Sequence, residues 1–160
     1  MAGTYSDADI ARLIQERKPL PVDWRNRMRL NPRRGHEERD LDLKGEAGNE
    51  FRLILRKSTV NPLDFSVILA VHVPQSNQLF RLRRYNGKSH EHTNRIEGER
   101  FYGFHIHMAT ERYQDIGARE DAYAEVTDRY GDFDSALRCL INDVNLQTPA
   151  REQIDLFEEA

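Results

Sequence analysis

Four of the six histidines fall within eighteen residues, as His90-Glu91-His92 and His105-Ile106-His107. In an extended chain residues i and i+2 point the same way, roughly 7 Å apart at about 3.3 Å per residue. Two imidazoles so placed can share a metal ion. They can also divide acid and base work in phosphodiester cleavage, because histidine titrates near neutrality. Arg81, Arg83, Tyr85 and Glu91 stand close by in sequence and supply phosphate clamps and further proton-handling groups. That set matches a metal-independent ribonuclease in which His105, His107 and Tyr85 are catalytic. A metal site would need a third ligand from His90, His92 or Glu97, and the spacing singles out none of them. The reading therefore expects no metal and no cofactor.

A second chemistry-bearing set is basic. Arg25, Arg27 and Arg29 alternate with Trp24, Asn26 and Met28, and Arg52 and Arg56 flank Ile54. If these segments are strands, Arg25, Arg27, Arg29, Arg52, Arg56, Arg81 and Arg83 share one sheet face with His72, His105 and His107. Guanidinium groups take phosphates bidentately, and an exposed Tyr85 or Phe101 could stack a base. Arginine on an open strand face also simply discourages aggregation. Ile54, Ile68 and Ala70 in mid-face add a third use, a contact with a second copy.

Elements must position these residues. Ser6 and Asp9 resemble a capping box, and Ile10, Leu13 and Ile14 follow at helical spacing until Pro19. From Val22 to Leu30 the period is two, which predicts a half-buried strand. Leu41 and Leu43 suggest a short strand. Alternation predicts further strands at 51–56, 65–73 and 79–85, the last ending at the turn Asn86-Gly87. Arg100 to Met108 reads as the final strand. Ala118–Tyr130 reads as a helix, and Phe133 to Val144 as a stronger one, with Asp132 as its N-cap. Short links favour an antiparallel meander. The fold class expected is α+β: a five- to six-stranded antiparallel sheet, with an N-terminal helix and two C-terminal helices on one face. One domain spans 1–148, with a peripheral tail at 149–160.

The segments Arg84-Tyr85-Asn86-Gly87, His90-Glu91-His92-Thr93-Asn94, Phe104-His105-Ile106-His107 and Thr110-Glu111-Arg112-Tyr113 resemble an uncharacterised family of small bacterial proteins, over about Asn49 to Asn145. More distantly, an Arg-Tyr pair followed by two histidine pairs is similar to small RNase-like toxins of toxin–antitoxin operons. The chain departs from that pattern in having His90-Glu91-His92 instead of adjacent histidines, so no role passes to His90 or His92. The second resemblance implies RNA as substrate and an antitoxin-like protein partner.

Composition narrows the classes. The 160 residues are 38% hydrophobic and 32% charged, which suits a globular domain with a sizeable core. Cys139 is the only cysteine, which excludes an intramolecular disulfide and a multi-cysteine zinc site. No apolar run approaches a membrane span and no signal peptide is read at the start, so a cytoplasmic protein with no membrane partner is expected. Net charge is −3, but residues 111–160 carry five arginines against thirteen acids, leaving +5 on residues 1–110. Three functions compete. The leading one is a nucleic-acid-binding protein or toxin-type ribonuclease, acting on RNA or another polyanion. The alternatives are a metal-binding protein or metal-dependent enzyme centred on His105 and His107, and a non-catalytic interaction module or homodimer.

Overall fold

A computed structural model describes residues 4–149. In chain order the elements are α1 (Asp7–Gln15), β1 (Lys18–Pro19), α2 (Trp24–Arg27), β2 (Asn31–Pro32), β3 (His36–Lys44), β4 (Glu50–Ser58), β5 (Phe65–His72), β6 (Leu79–Asn86), β7 (His92–Asn94), β8 (Glu99–Phe101), β9 (His105–Met108), α3 (Glu111–Asp115), β10 (Tyr123–Val126), α4 (Phe133–Asp143) and β11 (Leu146–Gln147). The fold is α+β, as expected. Its main sheet has seven strands instead of the five or six expected, in the order β10-β9-β6-β5-β4-β3-β2, and every pairing in it is antiparallel. β3 to β6 form the meander, and β9 joins β6 after β7 and β8 have paired with each other as a separate hairpin. No helix among the described residues is long and apolar enough to cross a membrane.

One sheet face is built from the residues the alternation assigned to the core. Leu41, Phe51, Leu53, Leu55, Val67, Leu69, Val71, Phe80, Leu82 and Ile106 are buried together with Ile10, Leu13 and Ile14 of α1 and Phe133, Ala136, Leu140 and Ile141 of α4. Both helices start on capping boxes, Ser6 with Asp9 and Asp132 with Ser135, which satisfy the otherwise orphaned first-turn amides. Their C-terminal ends meet at Lys18. Its buried ammonium donates to the carbonyls of Ile14, Glu16 and Val144 at 3.0, 2.8 and 2.7 Å. Burial pulls its pKa down to about 8.

Four further expectations are corrected. Val22–Leu30 is not a strand: Trp24–Arg27 is one helical turn, with Met28 N–H bonded to the Trp24 carbonyl at 2.9 Å. Trp24 and Met28 are both buried, but i and i+4 share a face in a helix as well as in a strand, and Val22, on the expected core side, is 87% exposed. Arg25, Arg27 and Arg29 therefore do not belong to the sheet face. Second, Arg100–Met108 is two strands, broken at Gly103, whose φ of 115° turns the chain where an L-residue would be strained. Third, Ala118–Tyr130 is not a helix; Tyr123–Val126 is the edge strand β10, with Ala124 buried and Val126 exposed. Fourth, a bulge between Leu69 and Ala70 shifts the β5–β6 register. It moves Arg83 to the helix-covered face and brings Arg84 to the other. The expected tail at 149–160 lies, but for Pro149, outside the described residues.

Candidate metal centre

Cross-strand partners in an antiparallel ladder point the same way, so the second face can be read across the sheet. Arg52 stands opposite Ala70, and Arg56 opposite Ser66. Ala70 stands opposite Arg81 and Ile68 opposite Arg84. Arg84 and Asn86 then face His107 and His105. The alternation thus placed Arg52, Arg56, Arg81, His105 and His107 on one face, as expected. The face is not the free positive surface it was expected to be. Strand β3 brings Glu38, Asp40 and Asp42 to the same ladder. Asp42 takes Arg52 Nε at 2.8 Å and Glu38 takes Arg56 Nε at 3.7 Å. Asp42 also lies 3.2 Å from His72 Nε2. Arg81 is held by Glu120 and Asp121 at 3.5 and 3.7 Å.

Tyr85 lies elsewhere. It is fully buried, sits opposite Val67 and Ile106 on the helix-covered face, and donates its hydroxyl to Asp143. Burial pushes its pKa up. It can neither stack a base nor reach the histidines across the sheet. Arg83 accompanies it, with Nη1 3.4 Å from the Tyr85 hydroxyl. With Arg129 and Ile106 it lines a cavity of about 720 Å³. Away from the sheet, Arg25 packs over the Trp24 ring at 5.1 Å, Arg27 is 3.9 Å from Asp23, and Arg29 is exposed.

The histidines do converge. The β7–β8 hairpin brings His92 onto β9, and one nitrogen from each of His92, His105 and His107 lies within 4.8 Å of the others. Ring centroids are 4.9 Å apart for His105 and His107, 4.8 Å for His92 and His107, and 5.5 Å for His92 and His105. His105 is fully buried and His107 nearly so. The hairpin is fastened at two points. Asn94 accepts from the Ala124 N–H at 3.0 Å and donates to the Ala124 carbonyl at 2.7 Å. At the turn, the Tyr113 hydroxyl donates to Glu97 and accepts from the Ile96 N–H at 3.2 Å.

Each ring has its tautomer set by a neighbour that can only accept. His105 Nδ1 meets the Gly103 carbonyl at 2.9 Å, and His107 Nδ1 meets the Asp121 carbonyl at 2.7 Å. Both Nδ1 atoms therefore carry hydrogen, and both Nε2 atoms carry a lone pair. His92 Nε2 lies 2.8 Å from Asn94 Oδ1. The Ala124 main chain dictates which end of that amide is oxygen, so His92 Nε2 donates and its Nδ1 keeps the lone pair. Among the described residues, His105 Nε2 is buried with no hydrogen-bond partner. Burial lowers the pKa of both strand histidines, and the Arg84 guanidinium adds to the effect. His107 is driven down to about 2. Three imidazoles, each braced by an outer acceptor, form the donor set of a borderline-soft divalent cation such as zinc. Donor nitrogens around such an ion are spaced by roughly 3.4 Å, given bonds of about 2.1 Å, closer than the 4.8 Å within which the three ring nitrogens lie.

His90 does not join the three; its ring centroid is 6.1 Å from that of His105. Glu97, the other ligand considered from sequence, is engaged by Tyr113 and Arg112. Sequence reasoning passed over Asn94, Asp121 and Arg84. The only local sign of the first was its place two residues after His92, on the same side of an extended segment. Comparison of the chain with protein-family models, curated proteins and solved structures finds no match.

Proposed function

We propose that this protein binds a zinc-class divalent cation through His92, His105 and His107 and is a metal-dependent enzyme. One observation carries the reading: His92, His105 and His107 each bring a ring nitrogen within 4.8 Å of the others, each ring is held by an outer hydrogen bond, and among the described residues His105 Nε2 is buried with nothing to bond. A buried acceptor without a donor costs about 1–3 kcal/mol, and a cation removes that cost. Three protein ligands are the number typical of catalytic zinc, which keeps a position for water or substrate; structural sites close with four. A metal there would supply an activated water or polarise a substrate oxygen. The protein's part is to keep the imidazoles oriented and shielded.

Acid–base ribonuclease chemistry would need an imidazole that gains a proton near neutrality. The depressed pKa of His107 and the engagement of both Nδ1 atoms with carbonyls favour ligation instead. The test is metal content after equilibration with zinc and dialysis. The protein should retain close to one ion per chain, and His105→Ala, His107→Ala and His92→Ala should each lose it. Absence of bound zinc in the unaltered protein would overturn the proposal. Full retention in His92→Ala would overturn the ligand set.

A further inference from the structure

The three histidines leave open what occupies the rest of the coordination sphere, and the neighbouring charges bear on it. Arg84 is the direct cross-strand partner of His107, and its side chain is only 19% exposed. Its Nε is committed to Asp121 Oδ2 at 3.1 Å. Among the described residues the guanidinium has no other hydrogen-bond partner, so the two terminal nitrogens remain as donors. Asp121 cannot neutralise the region alone. Its fully buried carboxylate is shared by Arg84, Arg81 and Arg119 at 3.1, 3.7 and 3.9 Å, and among the described residues only Glu120 assists, at Arg81. Three guanidiniums thus face two carboxylates. The same Asp121 holds His107 by its main-chain carbonyl, so this positive cluster and the imidazole cluster are one structure.

Adding a divalent cation beside an already positive cluster gathered on a buried carboxylate makes an anion the natural remaining ligand. A guanidinium with a free edge beside a metal suits an oxyanion, one oxygen for each. We propose, on the basis of the metal reading above, that the centre binds an oxyanion group, the phosphate or carboxylate of a small substrate. One oxygen sits on the metal and another on the terminal nitrogens of Arg84. Asp121 orients Arg84 and His107 together.

Cobalt(II)-loaded protein provides the test, because its visible spectrum responds to a ligand that enters the coordination sphere. Inorganic phosphate and acetate are titrated separately into the unaltered protein and into Arg84→Gln, with imidazole as a neutral ligand for comparison. The expected result is a spectral change with at least one oxyanion, and a loss of affinity of about tenfold or more in Arg84→Gln, with imidazole binding unchanged. The tighter oxyanion identifies the substrate group. Equal oxyanion affinity in the two proteins overturns the proposal, as does no spectral response to either oxyanion. An equal loss for imidazole also overturns it, since Arg84 would then only prop up the site. Failure of the unaltered protein to take up cobalt would refute the metal reading itself and is scored before any anion is added. Should Arg84→Gln not hold metal because Asp121 loses its partner, Arg84→Lys keeps a charge there without the fork. The same comparison with that variant decides.

Discussion

Asn94 grips Ala124 by both of its main-chain groups, accepting from the N–H at 3.0 Å and donating to the carbonyl at 2.7 Å. The amide thereby acts as a one-residue neighbour strand for β10, and its oxygen also orients His92. Outer-shell partners of this kind commonly set metal affinity by about 10–100-fold. Asn94→Ala should lower zinc affinity by roughly that factor, measured by competition with a chelator, while far-ultraviolet circular dichroism stays unchanged. An affinity within about twofold of the unaltered protein would mean that Asn94 does not orient the ligand.

Acid should destabilise the metal-free protein earlier than its carboxylates require. Burial, helped by Arg84 and the neighbouring rings, holds the His107 pKa at about 2 in the folded state, whereas the unfolded chain takes up that proton near pH 6.5. A base with a depressed folded pKa contributes fully above the unfolded value, and the contribution is lost as pH falls below it, because the unfolded state then binds more protons. The slope is about 1.4 kcal/mol per pH unit for each histidine kept neutral. Urea midpoints at pH 7.5 and 5.5 should differ accordingly. Equal midpoints would show that the rings protonate without unfolding.

Lys18 joins the C-terminal ends of α1 and α4 by three hydrogen bonds to carbonyls. Methionine fills similar space but donates nothing. Lys18→Met should cost about 2 kcal/mol or more, since buried carbonyls without donors cost about 1–3 kcal/mol. Chemical denaturation checks this. A loss below about 0.5 kcal/mol would mean that desolvating the ammonium cancels its hydrogen bonds.

Leu140 and Leu137 lie on the same helix but differ in burial: Leu140 is fully buried and Leu137 only partly. Leu140→Ala should cost about 2–5 kcal/mol through the cavity it leaves, and Leu137→Ala clearly less. A reversed order in denaturant midpoints would mean that α4 is rotated on the sheet.

Period-two alternation in Phe51–Leu55, Phe65–Val71 and His105–Met108 carried most of the sheet, because each of these strands has one face on a core, and burial demands the pattern. It failed where one spacing fits two geometries, as with Trp24 and Met28. It failed again where an irregularity leaves no trace in residue type, as with the bulge that exchanges Arg83 for Arg84. The acids of β3 were also hidden: Glu38, Asp40 and Asp42 neutralise a face read as positive because the strand was recognised only from Leu41 and Leu43. At the site, the His105–His107 pair was legible. The third ligand was not, because His92 reaches the pair through a hairpin fold-back, and no local period encodes a tertiary approach of that kind.

The break at Gly103 has a dynamic consequence. It lets the β7–β8 hairpin bring His92 and Asn94 beside His105 and His107 of β9, Ala124 of β10 and, in the turn before β10, Asp121, at one margin of the sheet, whereas the main apolar cluster lies under α1 and α4 against β3 to β6. A margin of this kind can open and reclose while the centre stays folded. Amide hydrogens of β9 and β10 should then exchange with solvent sooner than those of β4 and β5. An ion that ties His92 to the two strand histidines would slow exchange in that margin alone, by the factor that mass action assigns to a ligand of the closed form.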